Sequence, residues 1–251
     1  MYEIKFDKIL VFDIWGDYAH FRKFYTTTSP LTFSFPPRTA LCGLIGAIVG
    51  LEKEGNEYLK YFSFNEAFIG VRIINPVKKV MIAQNLIHTK DARGPGMNLI
   101  TKRTQIRFEF LKSPKFRIYF AYAGNKEKLK KLKQNLFEHK SVYTPVLGLS
   151  ENIADFKFIG EFEFDVKQSN KYVPIRTVIP LGQVSENYGT KFDYEAEYFS
   201  ERHALMLTTD RVVTKYDDIL FERNGAPIEI KLKANYFELQ NSGKEKIVFI
   251  E

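Results

Sequence analysis

The chain has 251 residues and 45% hydrophobic content, enough to bury a proper core and to exclude global disorder. A single cysteine, Cys42, excludes a disulfide framework and a cysteine-built zinc site, which suits a reducing compartment. The net charge of +7 is unevenly spread: residues 1–150 hold 24 Lys and Arg against 12 Asp and Glu, and residues 151–251 hold 13 against 18, so only the front half is matched to a polyanion.

The opening MYEIKFDKILVFDIWGD alternates and carries charge, which predicts a strand over Tyr2–Ile14 and not a signal peptide. The loop Tyr18–Thr32 then collects His20, Arg22, Lys23, Tyr25 and Thr27 as candidate RNA-binding residues. Aromatics stack on unpaired bases, while cations and hydroxyls meet phosphate or 2′-OH groups. A surface loop with its aromatics tucked into the core has the same composition. Pro36-Pro37 lead into a helix predicted from Arg38 to about Leu51, with Pro37 suited to the first turn. That helix is apolar on nearly every side, so burial is expected, with Arg38 beside Arg22 and Lys23 at its entrance. Gly43, Gly46 and Gly50, with Ala47, make a stripe without bulk. Each interior glycine costs about 1 kcal/mol against alanine, so a close backbone approach is expected there. The longest apolar run, Ala40–Leu51, is shorter than the roughly 20 residues that cross a bilayer.

Ala67–Asn75 and Lys78–Leu86 read as strands around Pro76 and predict one hairpin; Thr104–Leu111 and Lys115–Tyr122, around Lys112-Ser113-Pro114, predict another. Between them the segment His88–Arg107 carries Lys90, Arg93, Lys102, Arg103 and Arg107 about a Gly94-Pro95-Gly96 turn. A basic insertion of this kind suits clamping a phosphate backbone, although an ordinary solvated loop reads the same way. Asn125 is placed to N-cap a helix through about His139, with Leu129, Leu132 and Leu136 inward and five lysines outward. After the Thr144–Ser150 loop, Asp155–Val166 alternates as a strand, and Tyr172–Glu251 offers only short strands.

The order through Val166 is strand, helix, strand pair, helix, strand. This predicts an α+β chain of ferredoxin-like order over residues 1–166, with a basic thumb hairpin inserted at about 86–103. A β-rich C-terminal extension over 167–251 completes it. Enzymatic signals are poor. Phosphate-loop and dinucleotide fingerprints are absent, and His20, His88, His139 and His203 show no metal-ligand spacing, so neither cofactor nor metal is expected. A metal-independent endoribonuclease that assembles His20 or His88 with a tyrosine and a lysine in space is the enzymatic alternative.

Three stretches carry a family resemblance: Phe12–Gly16 with Ala19-His20-Phe21-Arg22, Ser29–Phe33, and above all Pro36–Ala47; the loop Tyr143–Leu149 adds to them. On these residues the chain resembles the Cas-five family of CRISPR-associated proteins, with the type I-B branch most similar. The match is specific over the first 51 residues and extends to about Val166. The resemblance implies an RRM-like, RAMP-type fold and a role in antiviral defence as an RNA-binding Cascade subunit that caps the crRNA 5′ handle. It implies contacts with the backbone subunit and the large subunit, target DNA met only indirectly, no membrane, and a cytoplasmic location. On this sequence the hook for the handle would be Tyr18–Thr32 with Arg38, and the thumb would be His88–Arg103. In the I-C branch the equivalent protein cleaves precursor RNA with a Tyr, Lys and His, a trio that no motif places here. A separate ribonuclease cuts in I-B systems, so the resemblance implies a non-catalytic binder. A purely structural assembly subunit, its basic face meeting acidic partners, is the third reading.

Overall fold

The chain begins with β1 (Ile9–Trp15), the short β2 (Tyr18–Ala19), α1 (Arg38–Val49) and the five-residue α2 (Glu57–Tyr61). Then follow β3 (Ala67–Ile73), β4 (Lys79–Ile87), β5 (Arg103–Lys112), β6 (Lys115–Tyr122), α3 (Lys126–Phe137) and β7 (Asp155–Phe162). The last third is made of short strands: β8 (Phe164–Lys167), β9 (Val173–Ile175), β10 (Ile179–Pro180) and β11 (Thr190–Lys191) precede β14 (Ile228–Ile230), β15 (Tyr236–Leu239) and β16 (Lys246–Ile247). The exception is a pair of ten-residue strands, β12 (Tyr198–Leu207) and β13 (Val213–Glu222), which form a hairpin. This is a computed structural model, and it describes residues 6–87, 103–186, 189–240 and 243–251.

The main sheet has the order β3-β6-β1-β7, with every neighbouring pair antiparallel. Successive strand residues point to opposite faces, and β1 shows why both of its faces are apolar. Leu10, Phe12 and Ile14 enter a core with Leu41, Ile45 and Ile48 of α1 and Leu132 and Leu136 of α3. Ile9 and Val11 enter another with Leu239, Ile247 and Phe249 from the end of the chain. The one charge on β1, Asp13, is buried and held by Arg117 on β6 at 2.8 Å. The C-terminal strands thus cover the sheet face opposite the helices, a face that a bare RNA-binding sheet would leave open. They also reach the helical side, where Leu205, Ile219 and Phe221 join the α1 core.

Two expectations about pairing are corrected. β3 does not pair with β4, nor β5 with β6; β3 and β6 pair with each other, while β4 and β5 form a separate ribbon. That ribbon runs in register from Lys79↔Leu111 to Ile87↔Arg103 and takes β2 on its other edge. The turns at Pro76 and Ser113 are real, but each passes the chain between sheet and ribbon. Most of the expected thumb, including Lys90, Arg93 and Lys102, lies outside the described residues, as does His88.

Local signals set the helix ends. Asn125 caps α3, its side-chain oxygen accepting from the amides of Glu127 and Lys128. Pro37 stands at the N-cap of α1, one position earlier than expected, and its carbonyl accepts from Ala40 and Leu41. At the other end Gly50 takes φ +88, and its N–H donates to Gly46.

Candidate nucleic-acid interface

α1 is not enclosed on all sides. Leu41, Ile45 and Ile48 face the core, while Ala40, Gly43 and Ala47 floor an open groove of about 940 Å³. The close backbone approach expected along the glycine stripe occurs at its C-terminal end only, where the Tyr143 amide donates to the Ala47 carbonyl at 3.0 Å and the Val142 amide to the Ile48 carbonyl at 3.4 Å. A Cβ on Gly50 would come within 2.8 Å of the Val142 side chain, one on Gly46 would stand 3.2 Å from Cβ of Tyr58, and one on Gly43 would meet nothing nearer than the Tyr58 ring at 3.8 Å. Around Gly43 the small residues keep space open along the helix.

One wall of the groove is His20–Arg22, and a second is the loop around Tyr143–Leu149. Leu207 and Arg211, near the tip of the β12–β13 hairpin, close one side. The two walls are tied together, since the His20 amide donates to the Leu147 carbonyl at 3.0 Å. Gly148, at φ +95, lies against the same backbone: a Cβ there would come within 1.9 Å of the His20 carbonyl oxygen. Three separated stretches, the Ala19–Arg22 run, the α1 pattern and the Tyr143–Leu149 loop, therefore meet around one cavity.

His20 is the best-defined polar group in it. The residue is 2% exposed. Its ring sits edge-on to Phe108 at 5.4 Å and beside Phe110 at 5.5 Å, and Nδ1 is 2.7 Å from the Glu109 carbonyl oxygen. A carbonyl only accepts, so Nδ1 carries the proton and Nε2 keeps a lone pair. Burial lowers the imidazole pKa more than the Glu109 carbonyl restores it, so the ring is neutral at neutral pH. Nε2 has no hydrogen-bond partner among the described residues.

The other expected site residues divide into two groups. Arg22, Tyr25 and Thr27 are exposed, with the Arg22 guanidinium donating to the Thr26 carbonyl at 2.9 Å. At the loop tip Phe24 and Tyr25 meet edge-on at 5.2 Å, and Phe24 lies 5.7 Å from Tyr216 of β13. Arg103 and Arg107 are exposed on β5, on the strand face opposite Phe108 and Phe110, so they do not line the cavity wall that holds His20. Lys23 and Arg38 instead turn inward, which corrects their expected place at a cationic entrance. The Arg38 guanidinium is buried, donating to the carbonyls of Phe62 at 2.9 Å and Ala67 at 2.7 Å and lying 4.2 Å over the Phe64 ring. Lys23 pairs with Glu201 at 2.9 Å.

Glu201 is a hub that the sequence did not announce. It accepts from the Ser34 amide and hydroxyl, each at 2.9 Å, and faces Lys79 at 3.5 Å and His203 at 3.6 Å. Burial alone would raise its carboxyl, but His203, the Ser34 amide and Lys23 hold it far below the ordinary carboxylate range. His203 itself stacks on Phe35 at 4.5 Å, and burial keeps its pKa low. This cluster clasps β12 to the segment between the basic loop and α1. No group of His, Cys, Asp and Glu side chains suited to a metal ion occurs among the described residues.

The family model described as CRISPR-associated protein (Cas_Cas5) matches residues 9–127, which include β1, the basic loop and α1. A crystal structure of a CRISPR protein from Archaeoglobus fulgidus is similar over 96% of this chain and 97% of that one, at 13% identity and a TM-score of 0.51, so the two share a fold. A chain of a CRISPR RNA-guided surveillance complex aligns over 87% and 91% at 12% identity, with a TM-score of 0.49. A chain from the Type III-B Cmr-beta complex bound to cognate target RNA and AMPPnP aligns over 88% and 86% at 12% identity, with a TM-score of 0.44. No curated protein matches.

Proposed function

We propose that this chain is a CRISPR-associated protein of the Cas_Cas5 family, working as a non-catalytic RNA-binding subunit of a type I, and specifically I-B, Cascade complex. In this reading it caps the 5′ handle of crRNA in the cytoplasm, touching the backbone subunit and the large subunit, with target DNA met only indirectly. The β3-β6-β1-β7 order supports a ferredoxin-like core, and the ribbon of β4 and β5 supports a thumb base. The observation that carries the reading is the groove itself. It is bounded by the stretches that resemble the family, floored by helix residues without bulk, and large enough for several ligand groups. Arg22 on its rim supplies a cation for phosphate, and Tyr25, exposed in the same loop, supplies a ring for stacking.

Handle RNA should bind with an affinity that falls steeply as salt rises, because phosphate contacts release counterions. Arg22→Ala should weaken binding by about 1.5–3 kcal/mol, the worth of a hydrogen bond to a charged group. Lys23→Ala and Arg38→Ala should instead lower stability, because both side chains serve internal partners. A filter-binding series over salt reads the first two effects and thermal melting reads the third. Handle affinity unchanged by Arg22→Ala would remove Arg22 from the interface.

A second reading, metal-independent cleavage of precursor RNA, is favoured by one observation, the unpartnered Nε2 of a neutral His20, a residue that lines the groove. Repeat RNA incubated in EDTA discriminates: it stays intact under the binding reading, and site-specific cuts lost in His20→Ala would replace that reading with the enzymatic one.

A further inference from the structure

Resting on the RNA-binding reading, we infer that His20 is a specificity-determining residue: its Nε2 accepts a hydrogen bond from an O–H or N–H of the bound strand, so it reads sugar or base and not phosphate. Everything about the ring fixes it as an acceptor. Nδ1–H is spent on the Glu109 carbonyl at 2.7 Å. Phe108 and Phe110 hold the plane from the ribbon side, and the His20 backbone is pinned by Leu147 and crowded by Gly148. Turning the imidazole to present Nδ1–H instead would break its hydrogen bond to the Glu109 carbonyl. The remaining lone pair is buried on a residue that lines the groove, and it has no protein donor among the described residues.

A phosphodiester carries only acceptors at neutral pH, so it offers nothing to this atom. Nucleic acid donors are the ribose 2′-hydroxyl and the N–H groups of the bases. A 2′-hydroxyl contact makes the groove choose RNA over DNA whatever the base; an exocyclic amine contact makes it choose one base. A buried acceptor that loses its donor stays unpaired, and this is what makes hydrogen-bonding sites reject analogues strongly.

The test is a substitution scan of handle RNA bound to the full chain. Each position is replaced in turn by its 2′-deoxy form and, separately, by a base that lacks its exocyclic amine or is methylated at its ring N–H. One replacement, at one position, should weaken wild-type binding about tenfold or more. His20→Phe, which keeps a ring between Phe108 and Phe110 but removes the acceptor, should bind intact handle more weakly by a similar factor and be indifferent to that same replacement. A hit in the deoxy series assigns the sugar, and a hit among the altered bases assigns the base. Wild-type protein that binds the handle yet tolerates every replacement overturns the inference and leaves the RNA-binding reading standing. Undiminished sensitivity in His20→Phe also overturns it. Failure of wild-type protein to bind handle at any salt concentration overturns the RNA-binding reading and this inference with it.

Discussion

Gly148→Ala lowers the melting temperature of the chain by about 6–12 °C, the shift expected for roughly 3 kcal/mol in a protein of this size. Two effects add. At φ +95 a side chain is strained wherever it sits. Here it also meets the His20 carbonyl oxygen at 1.9 Å, and that carbonyl belongs to backbone that cannot shift without breaking the His20–Leu147 hydrogen bond. The wall of the groove must open. Handle affinity should therefore fall together with stability, and lowering the temperature until the variant is fully folded should restore only part of it. A melting temperature within about 2 °C of wild type would show that the two walls are not clasped as described.

Glu201→Ala should cost about 3–5 kcal/mol, the penalty for removing one partner of a buried ion pair. Lys23 would keep its burial and lose its carboxylate, and the Ser34 amide and hydroxyl would lose their acceptor. Burial disfavours the Lys23 ammonium, and at present Glu201 more than restores it, so its pKa stands above the ordinary value. Acid should act in the same direction. The Glu201 carboxyl is depressed in the folded state, so its contribution is present in full above the ordinary carboxylate value of 4.5 and is lost as pH falls below it. Urea unfolding at pH 7 and at pH 4 should show the wild type losing stability between them and Glu201→Ala losing clearly less. Equal losses would remove Glu201 as the hub.

These residues also mark how far sequence reasoning reached. The Asn125 cap, the start of α1 at Arg38 and the existence of the first strand were legible because each is set by neighbours within a few positions, whereas the burial of β1 on both faces and its start at Ile9 were not. Strand pairing was not. Pro76 and Lys112-Ser113-Pro114 look like hairpin turns, and the nearest-neighbour rule then joins β3 to β4 and β5 to β6. What decides is burial: β3 and β6 are apolar enough to be covered on both sides, whereas β4 carries exposed residues along most of its length. Charge singled out the loop but did not tell its cations apart. Arg22, Lys23 and Arg38 are alike in sequence, and only the fold shows that one faces solvent, one meets a glutamate 178 positions away and one caps the carbonyls of Phe62 and Ala67. The glycine stripe was noticed for its lack of bulk. That the space it leaves stays open, and is walled by Tyr143–Leu149, required the tertiary structure.

Crosslinking tests the central claim most directly: handle RNA carrying a photoreactive base at each position in turn, irradiated with the full chain, with the attached peptides identified by mass spectrometry. The account predicts adducts on the segments holding His20–Tyr25 and Tyr143–Leu149, competed away by unlabelled handle and weakened by Arg22→Ala. Adducts confined to the lysine-covered outer face of α3, with the two groove walls unmarked, would contradict it.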